Sequence, residues 1–190
     1  YFLRVADQSK PVTGDDVMRL ASERAALPWE TQTTLHIPRR EVDATKRDKL
    51  LVALRASDRV KASVKEKSDD ELLDHYQLAQ GQALTNLGVL CLGRQHHRAQ
   101  LTTAPVIQFI KYDEHGQKVN KLVWDDHTQS PMELIEAVWL EVPDFRERYE
   151  LPDGLYRQNV PAFDEIVVRE LLVNALVHRP YTQRGDIFLN

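Results

Sequence analysis

Residues 169–181 read RELLVNALVHRPY, and the rest of the chain is organised around how this stretch folds. Leu171, Leu172, Val173, Ala175, Leu176 and Val177 mark an apolar helix, yet Glu170, Asn174 and His178 interrupt it at every fourth position. At 3.6 residues per turn, positions four apart lie almost above one another, so these three share one stripe. A buried polar group without a partner costs about 1–3 kcal/mol, so the stripe faces either water or a ligand. Water alone would favour polar flanks, whereas Val167, Val173 and Val177 lie close by. The pattern suits a helix lining a site for a charged and polar occupant. An amide oxygen is a hard, neutral ligand of the kind Mg²⁺ accepts beside its waters. A carboxylate one turn away can orient or deprotonate a water aimed at a phosphate. Spacing alone does not separate this reading from a half-exposed helix with incidental polar residues.

The totals bound the setting. A chain of 190 residues makes one ordinary domain or two small ones. Hydrophobic content of 42% and charged content of 28% are those of a globular protein. A net charge of -4 and an isoelectric point near 6.0 give no global pull toward nucleic acid. Cys91, the one cysteine, excludes an internal disulfide and a thiolate zinc cluster, and fits a reducing, cytoplasmic setting. No apolar run approaches the roughly 20 residues needed to span a bilayer, so no membrane partner is expected. No secretory signal pattern is visible. The chain opens on YFLRV and closes on GDIFLN, both strand-like, so a fragment of a longer polypeptide is expected.

Along the chain, YFLRV reads as a strand, followed by a polar turn and a helix over residues 13–26 capped by Thr13. Leu50, Leu51, Leu54 and Val60 predict an amphipathic helix over 44–62. Ser68 with Glu71 forms a capping box for SDDELLDHY. ALTNLGVLCLG is an apolar helix or buried segment. APVIQFIKY and KVNKLVW flank DEHGQ, which predicts a hairpin. Ser130, Pro131 and Glu133 open a helix that Pro143 ends or kinks. ELPDGLYRQNV reads as a turn plus a strand. The strongest helix runs from Phe163 to His178, and DIFLN begins a last strand. The order lacks a strict βαβ rhythm, so the fold class is α+β: a helical middle, then a hairpin, a helix pair and a strand.

ELLVNALVHR resembles the N-box of the GHKL ATPases, in which a Glu precedes Asn-Ala by four residues. More narrowly, VVRELLVNALVHRPYTQRGDIF is similar to a bacterial family of transcriptional regulators described as ATP-dependent DNA helicase, RecG-related. Its members carry a Schlafen/AlbA-like DNA-binding domain, a linker region and a GHKL-like C-terminal ATPase domain. YFLRVADQSKPVTGDDVMRL resembles the end of that DNA-binding domain, and LTNLGVLCLGR resembles the family's middle T-x-x-G-x-L-L-x-G segment. The resemblance implies three parts. Residues 1–29 would end the DNA-binding domain, 30–103 would form a mainly helical linker, and 104–190 would hold a hairpin and the first part of the ATP-binding domain. It further implies ATP and Mg²⁺ as cofactors. Glu170 matches the residue that positions the attacking water, Asn174 the Mg²⁺ ligand, and His178 and Arg179 positions near the phosphates. The adenine-binding aspartate and glycine-rich lid of such sites are not found before Asn190, and Asp186 follows the helix too soon to be that aspartate. Nucleotide binding by residues 1–190 alone is therefore expected to be weak or absent. ATP hydrolysis belongs to the intact protein if anywhere. No G-x-x-x-x-G-K-[ST] loop occurs, so helicase action has no support.

Residues 39–67 hold ten Lys or Arg against five Asp or Glu, a net of +5 within a chain of -4. Arg39, Arg40, Lys46, Arg47, Lys49, Arg55 and Arg59 are the candidate phosphate contacts for DNA; the alternative is a solvated helix face. Cys91, His96 and His97 lie close in sequence but lack a fourth ligand for zinc. Trp124 and Trp139 read as core, and Trp29 as a packing residue at a domain junction. The leading expectation is part of a DNA-binding regulator whose nucleotide state modulates DNA binding, with homo-oligomers possible in such a protein. The rival is a non-enzymatic module that binds DNA or protein through 39–67, with Glu170, Asn174 and His178 hydrogen-bonding loops such as RPYTQRGD.

Overall fold

Ile107, Phe109, Leu122 and Trp124 alternate with polar or smaller residues along two strand-forming runs, and this period of two places them on one face of a hairpin. The computed structural model describes residues 2–5, 8–11, 13–14, 28–153 and 156–190. We number its strands and helices in chain order. Strand β5 (Ile107–Tyr112) pairs antiparallel with β6 (Lys118–Trp124), and Gly116, at φ +73°, supplies the left-handed residue of the turn. The last strand, β9 (Ile187–Leu189), pairs parallel with β5, so the sheet order is β6-β5-β9. Helices α6 (Pro131–Glu141) and α7 (Glu165–His178) lie side by side on the face carrying Ile107, Phe109 and Trp124. Between them, β7 (Arg148–Asp153) and β8 (Tyr156–Pro161) form a separate two-stranded ribbon.

The helical middle builds a second core. It contains α1 (Ala44–Ala56), α2 (Ala62–Lys65), α3 (Asp69–His75), α4 (Asn86–Leu92) and α5 (Gln95–Gln100), with a short hairpin of β3 (Ala79–Gln80) and β4 (Ala83–Leu84). Val89, Leu90 and Leu92 of α4 pack with Leu73, Leu78, Leu84 and Ile37. Thr85 caps α4 by accepting from the Gly88 N–H at 3.0 Å. Gly88 allows α4 to pass over the Leu78 carbonyl, because a Cβ there would meet that oxygen at 1.8 Å. At the N-terminus, β1 (Phe2–Val5) pairs antiparallel with β2 (Gln8–Pro11).

The fold is α+β, as the order of elements predicts. Both capping boxes, at Ser68–Glu71 and Ser130–Glu133, are present. Four segments differ from expectation. QSKP is strand β2 rather than a polar turn. The helix expected over 44–62 ends at Ala56, where Ser57 turns extended and its N–H closes on the Ala53 carbonyl; Val60 lies beyond it. Where ELPDGLYRQNV predicts a turn plus a strand, Glu150–Asp153 pairs with Tyr156–Asn159 in a two-stranded ribbon, because Arg148–Asp153 is itself a strand. The strongest helix begins at Glu165, since Asp164 caps it by accepting from the Ile166 and Val167 N–H groups; Phe163 packs instead against Phe145. Of the helix expected at 13–26, residues 15–26 lie outside the described residues.

Replacing Gly88 by alanine forces α4 off the Leu78 carbonyl. Gly88→Ala is expected to lower unfolding free energy by about 3 kcal/mol in urea titration. An unchanged midpoint would show that the close approach does not constrain the fold.

Candidate functional site

Helix α7 buries Val168, Leu172 and Leu176. These are again four apart, on the side opposite Glu170, Asn174 and His178, which are exposed. The capping Asp164 carboxylate starts the helix, and Arg169 fixes its rotation by bridging to Glu136 of α6 (Nη2 to Oε2, 2.9 Å) and to Glu165 (2.7 Å). Those carboxylates hold the Arg169 guanidinium above its ordinary range. The structure thus brings Glu170, Asn174 and His178 into one outward line, and none has a hydrogen-bond or ion-pair partner among the described residues. Ile166, Val167, Leu171 and Val177 flank them, also exposed, with Ile166 at 78% and Leu171 at 63%. A helix face that carries both apolar groups and unpaired polar groups is an unusual surface to leave in water.

Arg179 is placed differently. Its guanidinium donates to the carbonyls of Thr103 (2.7 Å) and Gly185 (2.8 Å) and lies 5.1 Å from the centre of the Tyr181 ring. It organises the loop after α7 rather than standing free beside the polar line. Tyr181 is buried in the helical core, stacked on Trp29 at 5.3 Å, and its hydroxyl donates to the Leu176 carbonyl at 2.9 Å. Burial pushes the Tyr181 phenol up to about 12. Trp29 therefore packs against the helical core and the Tyr181 ring just beyond α7.

Five of the ten cations over 39–67 pair with nearby acids among the described residues. Arg39 donates to Asp74 at 2.6 Å, Arg47 to Asp48 at 2.8 Å and Arg55 to Asp69 at 2.7 Å. Lys46 is nearly covered and bonds Glu133, the capping residue of α6, with Lys49 at 3.8 Å from the same carboxylate. Arg40 and Arg59 are exposed and their side chains have no partner among the described residues. Lys61, Lys65 and Lys67 likewise have no side-chain hydrogen-bond or ion-pair partner among the described residues, so the stretch is part ion-pair lattice and part unpaired cations.

A cleft of about 680 Å³ opens on the other flank of α7, where the sheet ends at β9. Phe145, Phe163, Leu171 and Phe188 line it, with Lys111 paired to Asp144 at the rim. Sequence reasoning missed this cleft, whose walls come from five separate segments. It also missed Arg98. Only 1% exposed, Arg98 donates to the carbonyls of His127 (2.8 Å), Thr128 (2.7 Å) and Gly93, tying the helical part to the turn that opens α6. Nothing in QHHRAQ signals that role. Tyr181 did carry a signal, as a lone aromatic in the polar loop RPYTQRGD.

No group of residues that could hold a metal ion occurs among the described residues near Cys91, His96 and His97. Burial raises the Cys91 thiol to about 11. Burial, and next His96, hold the His97 imidazole below its usual range; Glu41, 3.7 Å away, pulls the other way, and Arg94 and Arg98 add to the depression.

No family model matches the chain, and no curated protein matches it. Among solved structures, the DIP2311 protein from Corynebacterium diphtheriae aligns with a TM-score of 0.59 at 18% identity, over 98% of this chain and 35% of that one. At that identity the likeness shows the fold alone. The chain spans about a third of the length of that protein. No helix among the described residues is long and apolar enough to cross a membrane.

The unfolded chain protonates His97 near pH 6.5, about the model-peptide value, while the folded chain resists protonation to lower pH. Stability from this group is complete above about pH 6.5 and is lost as pH falls through the lower folded value. Urea melts of wild type and His97→Gln across that range should show a shallower acid-side decline in the variant. Parallel curves would contradict this placement of His97.

Proposed function

We propose that this chain is part of a DNA-binding transcriptional regulator with a GHKL-like ATP-binding domain, and that the outward line on α7 is one wall of its nucleotide site. Asn174 would hold Mg²⁺ through its amide oxygen. Glu170 would orient or deprotonate the attacking water, and His178 would stand near the phosphates at the end of the helix. Such an arrangement acts by positioning and charge stabilisation, which are the main needs of phosphoryl transfer. Arg179 would contribute indirectly, by shaping the loop that follows α7. Nucleotide occupancy would then bias how the N-terminal segment engages DNA.

The observation that carries this reading is the absence of internal partners for Glu170, Asn174 and His178 among the described residues, although all three sit in register on a helix whose opposite face is core. Had they served to hold the RPYTQRGD loop, they would bond it; Arg179 does so instead. The exposed Ile166, Val167 and Val177 beside them support the same view, because they need covering by whatever completes the site. A facing wall from a further segment of a longer polypeptide would supply both the cover and the remaining ligands.

Calorimetric titration of a longer polypeptide with ATP and Mg²⁺ tests this. Binding should require Mg²⁺, disappear in Asn174→Ala, and persist in Glu170→Gln with hydrolysis, where present, reduced by about a hundredfold or more. Residues 1–190 alone should bind weakly or not at all. Silence of the longer wild type at saturating nucleotide would favour a non-enzymatic interaction module. For DNA, Arg40→Ala and Arg59→Ala should each lower affinity and shallow the salt dependence by about one phosphate contact; a flat salt response would argue against phosphate binding here.

A further inference from the structure

Helix α5 grips the turn that opens α6. The Gln95 side-chain amide donates to the Asp126 carbonyl at 2.8 Å, and Arg98 donates to the carbonyls of His127 and Thr128 at 2.8 and 2.7 Å. Within that turn His127 sits at φ +58°, a conformation that a non-glycine residue keeps only where its surroundings fix it. Two side chains of a six-residue helix thus hold three consecutive carbonyls in place. A helix that short has little stability of its own, so the grip depends on how the helix is capped.

The cap comes from His97, the third residue of α5. Its Nδ1 accepts from the Arg94 backbone N–H at 3.4 Å, in the place that Glu or Gln takes in a capping box. A ring nitrogen that accepts carries no proton, so the imidazole is neutral with its hydrogen on Nε2. Nε2 stands 3.7 Å from the Glu41 carboxylate, and the His97 side chain is 6% exposed where that of Glu41 is 45% exposed. The other charged and titratable groups that act on the ring belong to its own segment: His96, with ring centroids 4.0 Å apart, Arg94 and Arg98. Protonation changes both sides of this balance. Nδ1 becomes a donor facing a donor, so the Arg94 N–H loses its acceptor. The imidazolium is repelled by Arg94 and Arg98 and drawn to the half-exposed Glu41. Each effect moves the ring away from its cap.

We infer that His97 is a pH-sensitive latch: neutral, it caps α5 and keeps the grip of Gln95 and Arg98 on the turn at 126–128; protonated, it exchanges the Arg94 N–H for Glu41, frays the start of α5 and releases the turn. Burial first, then His96, Arg94 and Arg98, hold back the charged form against the pull of Glu41, so release falls below the ordinary histidine range. The released turn leads directly into Ser130, the cap of α6. The latch needs no ligand and stands apart from the nucleotide reading of α7.

Hydrogen exchange of the chain, followed by NMR from about pH 7.5 to about pH 5 and expressed as protection factors, tests the latch. The Arg98 amide, bonded to the Arg94 carbonyl, and the Thr128 amide, bonded to the Asp126 carboxylate, should lose about tenfold in protection as pH falls. The Leu172 and Leu176 amides of α7 should not change. His97→Gln keeps an acceptor in the same place and does not titrate, so its profile should stay level. His96→Gln should respond as wild type does, and Glu41→Gln should move the loss to lower pH. In wild type at neutral pH, the imidazole nitrogen shifts of His97 should report the proton on Nε2. A level wild-type profile, a loss that survives His97→Gln or vanishes in His96→Gln, or one spread equally over α7 overturns the proposal. So does a Glu41→Gln profile that does not move, or a proton found on Nδ1.

Discussion

Val168, Leu172 and Leu176 of α7 are buried in one cluster with Ile107 and Phe109 of the sheet, and the rotation of the helix follows from that contact. Three residues at intervals of four define a single buried stripe, and each large aliphatic side chain buried there contributes about 1.5–3 kcal/mol. No other rotation would bury the same set. The Arg169 bridge to Glu136 holds the side of α7 that faces α6. Once these are satisfied, Glu170, Asn174 and His178 have only one direction to face, which is outward. The polar line is therefore positioned by the apolar residues behind it. A substitution at Leu172 would disturb the line as surely as one within it.

The same helix ends in a joint. Tyr181 leaves the sheet-bearing part and enters the helical core, stacking on Trp29, while its hydroxyl returns to the Leu176 carbonyl. Arg98 and the Lys46–Glu133 pair tie the two parts again at the start of α6. Arg98 is almost fully buried, and its charge is tolerated because main-chain carbonyls accept its hydrogen bonds. Movement at the end of α7 would thus reach Trp29, the residue at the head of the helical part. In the proposed regulator that is the path by which nucleotide occupancy would be felt toward the N-terminus.

Much of this architecture was legible in the sequence where the signals are local. Capping chemistry marked the helices at Ser68 and Ser130, DEHGQ marked the β5–β6 turn, and the period of four marked α7. What was not legible is non-local. The run at 148–153 looked like part of a turn because its only pairing partner is another exposed strand, so no hydrophobic alternation against a core betrayed it. The excess of cations over 39–67 looked open because their acidic partners, Asp69, Asp74 and Glu133, lie outside that stretch. Of the candidate site, the line Glu170, Asn174 and His178 could be read from spacing alone. The commitment of Arg179 to the carbonyls of Thr103 and Gly185 could not, since a contact 76 residues away leaves no trace in the local pattern.

The proposed function requires that a metal-bound triphosphate occupy the outward face of α7. Mn²⁺ can replace Mg²⁺ beside ATP, and its unpaired electrons broaden the NMR signals of nearby nuclei. Applied to a longer polypeptide, Mn²⁺·ATP should broaden the side-chain amide of Asn174 first and the signals of Glu170 and His178 next, leaving the buried methyl groups of Leu172 and Leu176 less affected. Broadening centred on any other element, or spread evenly over the surface, would contradict it.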